Sequence, residues 1–136
     1  METFSLKECN SGIKSFFPEL AGVEFTKVTK EEVIGKIKLR PELMAPNGFL
    51  HAGLVVTLAD TVCAWGTRLN MNEEAKGLTT IELKTNFLST AKEGVIMSIA
   101  TPLHVGRTTQ VWDAVVKSQT TGKVMAHFRN TQMILY

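Results

Sequence analysis

Cysteine, charge of one sign and long apolar runs are all scarce in this sequence, and each scarcity closes off a class of protein. Only two cysteines occur in 136 residues, Cys9 and Cys63. They sit in unlike contexts with no short-range partner, so a disulfide scaffold and a cysteine-based metal site are both unsupported, and a reducing compartment is expected. Fifteen Lys+Arg against thirteen Asp+Glu leave a formal charge of +2. That is too little to hold nucleic acid by a basic field, although it leaves room for a modest anionic ligand. The longest apolar stretch, residues 50–65, contains His51, Thr57, Asp60 and Thr61 and runs on to Arg68, so it reads as a buried helix and no membrane partner is expected. Residues 1–17 carry Glu2, Lys7, Glu8 and Lys14 and lack the unbroken apolar core of an export signal, which makes a cytoplasmic location the expectation. Repeats, low-complexity segments and a Pro/Gly/Ser linker are missing too, predicting a single domain over residues 1–136. No nucleophile elbow, P-loop or dinucleotide-binding glycine fingerprint occurs.

What is present is ordinary globular composition, 44% hydrophobic and 21% charged. A chain of this length buries roughly 70% of its unfolded surface, enough for a substantial core. A helix is predicted near residues 5–16, interrupted by Gly12 and closed before Pro18. The pattern then changes to period two. Val23 and Phe25 open one strand; Val33, Gly35, Ile37 and Leu39 alternate with Ile34, Lys36, Lys38 and Arg40 in the next, which Pro41 stops. Further strands are predicted over residues 78–88, 95–103, 108–118 and 123–135, with short connections that favour an antiparallel meander. Between the two sets, residues 52–69 place Leu54, Val55, Val56, Leu58, Ala59, Val62, Cys63, Ala64 and Trp65 around nearly the whole circumference of a helix, which must therefore be wrapped on most sides. The expected architecture is α+β, with about six antiparallel strands curved around one long central helix. Sheet edges of such a fold commonly pair with a second copy.

Several polar residues stand out against that core. Asp60 lies among Leu58, Ala59, Val62 and Cys63, and a buried carboxylate costs several kcal/mol unless it is partnered; it is either a functional group or a structural acid turned toward a gap in the sheet. His51 stands beside Gly48 and Gly53 where the helix begins, either as a capping residue or at an anion-binding helix start with free amide donors. His51 and Asp60 are nine residues apart, which at about 100° and 1.5 Å per residue puts them on opposite helix faces and roughly 13 Å apart. If both serve one reaction, a two-fold dimer with shared sites is the simplest arrangement. In the strand that follows, parity puts Thr79 with Ile81, Leu83, Thr85 and Phe87 and sets Thr80 on the opposite face. His104 and His127 have no neighbour at ligand spacing and read as surface or strand histidines, so no metal site is expected.

The run Pro46-Asn47-Gly48-Phe49-Leu50-His51-Ala52-Gly53, followed by Leu58-Ala59-Asp60-Thr61, resembles the H-G-G…D signature of hotdog-fold acyl-CoA thioesterases of the phenylacetate-degradation type. The segment ending Phe87-Leu88-Ser89-Thr90-Ala91 is similar to that family's following strand. The resemblance implies that Asp60 is the catalytic carboxylate, as general base toward water or as nucleophile. It implies that the Gly53 N–H polarises the thioester carbonyl, that His51 contacts or orients the substrate, and that Thr80 carries a hydroxyl able to hold the attacking water. Two departures accompany it: Ala52 replaces the first motif glycine, and the family asparagine six residues before the histidine falls on Ala45, with Asn47 as the nearest substitute. Arg107, in the Gly106-Arg107 turn, is either a contact for coenzyme A phosphates or an ordinary solvated arginine.

The function implied is hydrolysis of a small-to-medium or aromatic acyl-CoA by a homo-oligomer, a dimer or a dimer of dimers. Coenzyme A enters as substrate and no cofactor is needed. A non-catalytic acyl-CoA-binding or sensing module is the alternative, and the hydratase branch of the same fold ranks behind it because its paired Asp and His loop motif is not apparent.

Overall fold

Ser5, followed three residues later by Glu8, has the pattern of a helix start, and the capping box is complete. The Ser5 hydroxyl accepts from the Glu8 N–H at 3.3 Å, and a Glu8 carboxylate oxygen accepts from the Ser5 N–H at 2.6 Å. The structure, a computed structural model, describes residues 4–136, so what the sequence suggests for Met1 and Glu2 lies outside the described residues. Helix α1 (Leu6–Gly12) stops at the glycine and does not reach residue 16. A second short helix, α2 (Phe17–Ala21), follows. Pro18 belongs to its first turn, where the missing N–H has no helical partner to lose.

The period-two segments form six strands: β1 (Glu24–Val28), β2 (Val33–Lys38), β3 (Gly77–Phe87), β4 (Val95–Val105), β5 (Thr109–Ser118) and β6 (Val124–Leu135). All pairings are antiparallel, in the order β1-β2-β4-β5-β6-β3. Only β4-β5-β6 make the meander that short connections suggest. Helix α3 (Ala52–Leu69) carries the chain from β2 to the far edge, where β3 pairs with β6 alone.

Leu58, Val62 and Cys63 of α3 are fully buried, as are Val33, Ile37, Ile96, Ala100, Trp112 and Val116 of the strands beneath. Two glycines allow the close approach. A Cβ on Gly35 would lie 2.7 Å from Val62, and one on Gly66 would lie 2.5 Å from the Trp112 ring. The helix is wrapped on most sides, as its composition predicts, but not on all. Gly53, Val56, Thr57, Asp60, Thr61 and Ala64 recur at spacings of three and four and are only half-buried or exposed, so they form one uncovered stripe along the helix.

Strand parity also fails at one point. The β3–β6 register shifts between Thr80 and Glu82, leaving Ile81 as a bulge that is 52% exposed. Thr80 therefore shares the helix-facing side with Leu83 and Thr85, whose β6 partners Gln132, Asn130 and Phe128 are all buried. The expectation that Thr80 turns away from the apolar side is corrected by that single inserted residue.

Candidate active site

Helix α3 places Asp60 on its uncovered stripe, next to the helix-facing side of β3 and β6. The carboxylate is half-buried and held at one oxygen: Oδ1 accepts from Asn130 Nδ2 at 3.0 Å and lies 3.3 Å from the Thr80 hydroxyl. Thr80 in turn lies 3.1 Å from Gln132 Oε1. Oδ2 has no hydrogen-bond partner among the described residues. Cys63, one turn further along, is no rival nucleophile. Burial, and after it the Asp60 charge, pushes its thiol well above the ordinary range and keeps it protonated.

The helix start is a second, separate centre. His51 is the N-cap residue, and its Nδ1 accepts the Gly53 N–H at 2.9 Å. The Leu54 N–H bonds the His51 carbonyl at 3.0 Å. The Ala52 N–H has no partner among the described residues. In this conformation the amide expected to polarise a thioester is therefore engaged by the neighbouring imidazole, and the amide beside it is open. A groove of about 550 Å³ adjoins this helix start, lined by Phe17, Leu20, Met44, Leu54, His51 and Gly53 among others, with Arg40 and Glu42 its charged members.

The remaining expected residues lie apart from both centres. Asn47 is exposed near the tip of a loop closed by a Met44–Leu50 bridge, where its Oδ1 accepts the Phe49 N–H at 3.1 Å; Gly48 follows at φ 87°. Arg107 is engaged at the other end of the molecule. Its guanidinium lies 4.9 Å from the Tyr136 ring centroid and 3.8 Å from Glu74, and Tyr136 donates to its carbonyl at 2.5 Å. His104 and His127 are exposed on β4 and β6.

One chain thus joins Thr80 to Asp60 but does not join Asp60 to His51. Gly53 and Asp60 do share the stripe, two helical turns apart, which is about 10.5 Å along the axis. That is too far for both to reach one carbonyl group. Asn130 and Gln132 are the site residues that sequence reasoning missed. The signal available was parity: the helix-facing file of β6 reads Ala126, Phe128, Asn130, Gln132, Ile134, two consecutive amides in an otherwise apolar row.

The six-stranded antiparallel sheet curved on one long helix is the hotdog fold, and comparison with known proteins supplies the family. The thioesterase superfamily matches residues 47–125, which include the helix start, Asp60 and Thr80 but not Asn130 and Gln132. Putative esterase ComA2 of Bacillus subtilis is 32% identical over 94 residues, covering 69% of this chain and 75% of its own length. The 1,4-dihydroxy-2-naphthoyl-CoA hydrolase of Listeria monocytogenes is 26% identical, with 75% and 82% covered. Among solved structures, a mutant of thioesterase PA1618 from Pseudomonas aeruginosa superposes with a TM-score of 0.92 at 26% identity, over 98% of this chain and 96% of that one. The chain belongs to the thioesterase superfamily and is an enzyme of the thioester-hydrolase class.

Proposed function

We propose that this protein hydrolyses acyl-CoA thioesters at sites shared between two copies of the chain, with Asp60 of one copy facing the helix start of the other. The observation that carries this reading is the half-buried Asp60 carboxylate, anchored at Oδ1 and unpartnered at Oδ2, on an otherwise uncovered stripe of α3. Two α3 helices laid antiparallel along that stripe, with the two-fold axis near Val56 and Thr57, set Gly53 of each opposite Asp60 of the other. The free edge of β3 lies beside the same face. It leaves Leu83, Phe87 and Leu88 exposed, as expected of a surface that a second copy covers.

In this reading the thioester carbonyl oxygen sits at the helix start, polarised by the open Ala52 N–H and by the Gly53 N–H once the His51 imidazole turns away. Asp60 Oδ2 takes a proton from water as the water oxygen attacks the carbonyl carbon. The tetrahedral intermediate then collapses, the C–S bond breaks, and coenzyme A leaves as a thiolate that takes up a proton. If Asp60 is instead the nucleophile, its oxygen attacks the carbonyl carbon, the C–S bond breaks as coenzyme A leaves as a thiolate that takes up a proton, and water then cleaves the acyl–Asp60 anhydride to the free acid and the Asp60 carboxylate. In this reading Thr80, whose hydroxyl lies 3.3 Å from Asp60 Oδ1, orients the carboxylate, whereas the resemblance implies a water-holding hydroxyl. The groove walled by Phe17, Leu20, Met44 and Leu54 suits an apolar acyl group of small-to-medium or aromatic type. The naphthoyl-CoA hydrolase among its relatives is in keeping with an aromatic acyl group.

The bond between His51 and Gly53, together with Ala52 in the motif, is what favours the second reading, a non-catalytic acyl-CoA binder. Thiol release from a panel of acyl-CoAs of graded length and aromaticity, with binding measured in parallel, separates the two. Turnover on at least one apolar acyl-CoA is expected. Tight binding of the same compounds without thiol release overturns the hydrolase reading.

A further inference from the structure

Asp60 is held by two side chains on β6 that no motif marks, and their polar atoms do not balance as an ordinary buried network does. Asn130 is 1% exposed and Gln132 fully buried, yet Asn130 Oδ1 and Gln132 Nε2 have no partner among the described residues. Buried amides are normally satisfied, and an orphan in a native core calls for a reason. The Thr80 hydroxyl sharpens the point. It has one proton and two acceptor oxygens within reach, Asp60 Oδ1 at 3.3 Å and Gln132 Oε1 at 3.1 Å, and it can donate to only one of them at a time.

Exchanging the oxygen and nitrogen ends of the Gln132 amide resolves this conflict. Nε2 then donates to the Thr80 oxygen, and the Thr80 proton is committed to Asp60. Asn130 has no such freedom, because turning its amide would set its oxygen against the carboxylate oxygen it now serves. We propose that Asn130 and Gln132 are positioning residues: Asn130 directly, and Gln132 through Thr80, direct two donors onto Asp60 Oδ1 and thereby leave Oδ2 as the oxygen that acts on water or the thioester. This rests on the reading of Asp60 as the catalytic carboxylate.

Two donors on one oxygen fix both the rotation of the carboxylate and the direction of the free lone pairs on the other. A reaction that needs the oxygen within about 3 Å of its target loses rate when that orientation is lost, while substrate contacts elsewhere are unchanged. The effect therefore belongs in kcat and not in KM. It must also vanish when Asp60 is already gone.

The test is a double-mutant cycle on the full-length protein with its best acyl-CoA. Asn130→Ala is expected to lower kcat about 10-fold or more, with KM within about twofold. Gln132→Leu is expected to give a smaller loss in kcat. Added to Asp60→Asn, Asn130→Ala should cost nothing further, because its effect passes through the missing carboxylate. Asn130→Leu, which keeps the volume without a donor, repeats the measurement if the alanine variant folds poorly, and thermal unfolding of each variant establishes that the protein compared is folded. Equal further losses in the wild-type and Asp60→Asn backgrounds overturn the positioning role, as does a wild-type kcat in folded Asn130→Ala or Asn130→Leu. Full activity of Asp60→Asn overturns the Asp60 reading itself, a different outcome from either.

Discussion

Strands β5 and β3 flank β6 on its two sides and are nearly equal in length, yet they are written for different surroundings. Strand β5 is paired on both edges, and its residues alternate regularly between half-buried and buried, with Trp112 and Val116 fully enclosed. Strand β3 is paired on one edge, has no fully buried residue, and leaves Ile81, Leu83 and Phe87 between 42% and 52% exposed. Large apolar residues on a long unpaired edge are an aggregation liability unless something covers them. β5 is satisfied within one chain, whereas β3 and the α3 stripe beside it carry a surface that the single chain does not use. The candidate site follows the same division, since Asp60 and Thr80 sit on the β3 side.

The largest expected effect tests whether that unused side is catalytic. Asp60→Asn keeps the volume but removes the carboxylate, so turnover should fall by about 10²-fold or more while thermal stability holds or rises. A variant that melts earlier but works at the normal rate per folded molecule would make Asp60 structural. Next comes the edge itself: Leu83→Lys with Phe87→Lys should yield a monomer by sedimentation, with activity at least about tenfold lower, because a charge at a buried interface is costly. An active monomer would break the shared-site reading. A finer version mixes His51→Ala with Asp60→Asn chains. If each site takes one group from each copy, random exchange should restore about a quarter of wild-type activity, since half of the dimers carry one intact site of two.

On the β5 side the same kind of substitution should act on stability alone. Val116→Ala removes two methyl groups from a closed core and should cost about 2 kcal/mol by denaturant unfolding, with activity per folded molecule unchanged. The last effect, absent at neutral pH, concerns Cys9, whose thiol is pushed up to about 11, by burial first and then by the Glu8 charge. Its folded form holds the proton more tightly than the unfolded chain, where cysteine titrates near about 8.5. Its contribution is therefore complete below that value and is lost as pH rises toward 11. A stability curve that stays flat from about pH 8.5 to pH 11 would contradict it.

Much of this was legible in the chain itself. Period-two alternation located all six strands to within a few residues, and the apolar density of residues 52–69 marked the central helix, because both patterns follow from local geometry that every residue feels. The H-A-G…D run likewise identified the helix start and Asp60. The Ile81 bulge was not legible: one inserted residue reverses parity without changing composition, so Thr80 was placed on the wrong face. The two amides of β6 were overlooked for a related reason, since Asn130 and Gln132 lie 70 and 52 residues from the groups they serve.

The sequence by itself determined which segments are strands, which is the buried helix and which carboxylate is out of place, since periodicity and burial cost are properties of each segment alone. Only the tertiary structure decided that β3 crosses to the far edge beside β6, that Thr80 and Asn130 hold one oxygen of Asp60, and that His51 occupies the Gly53 amide. Those contacts depend on register and on closure across the sheet, where distant residues meet and where a shift of one position changes which side chain arrives.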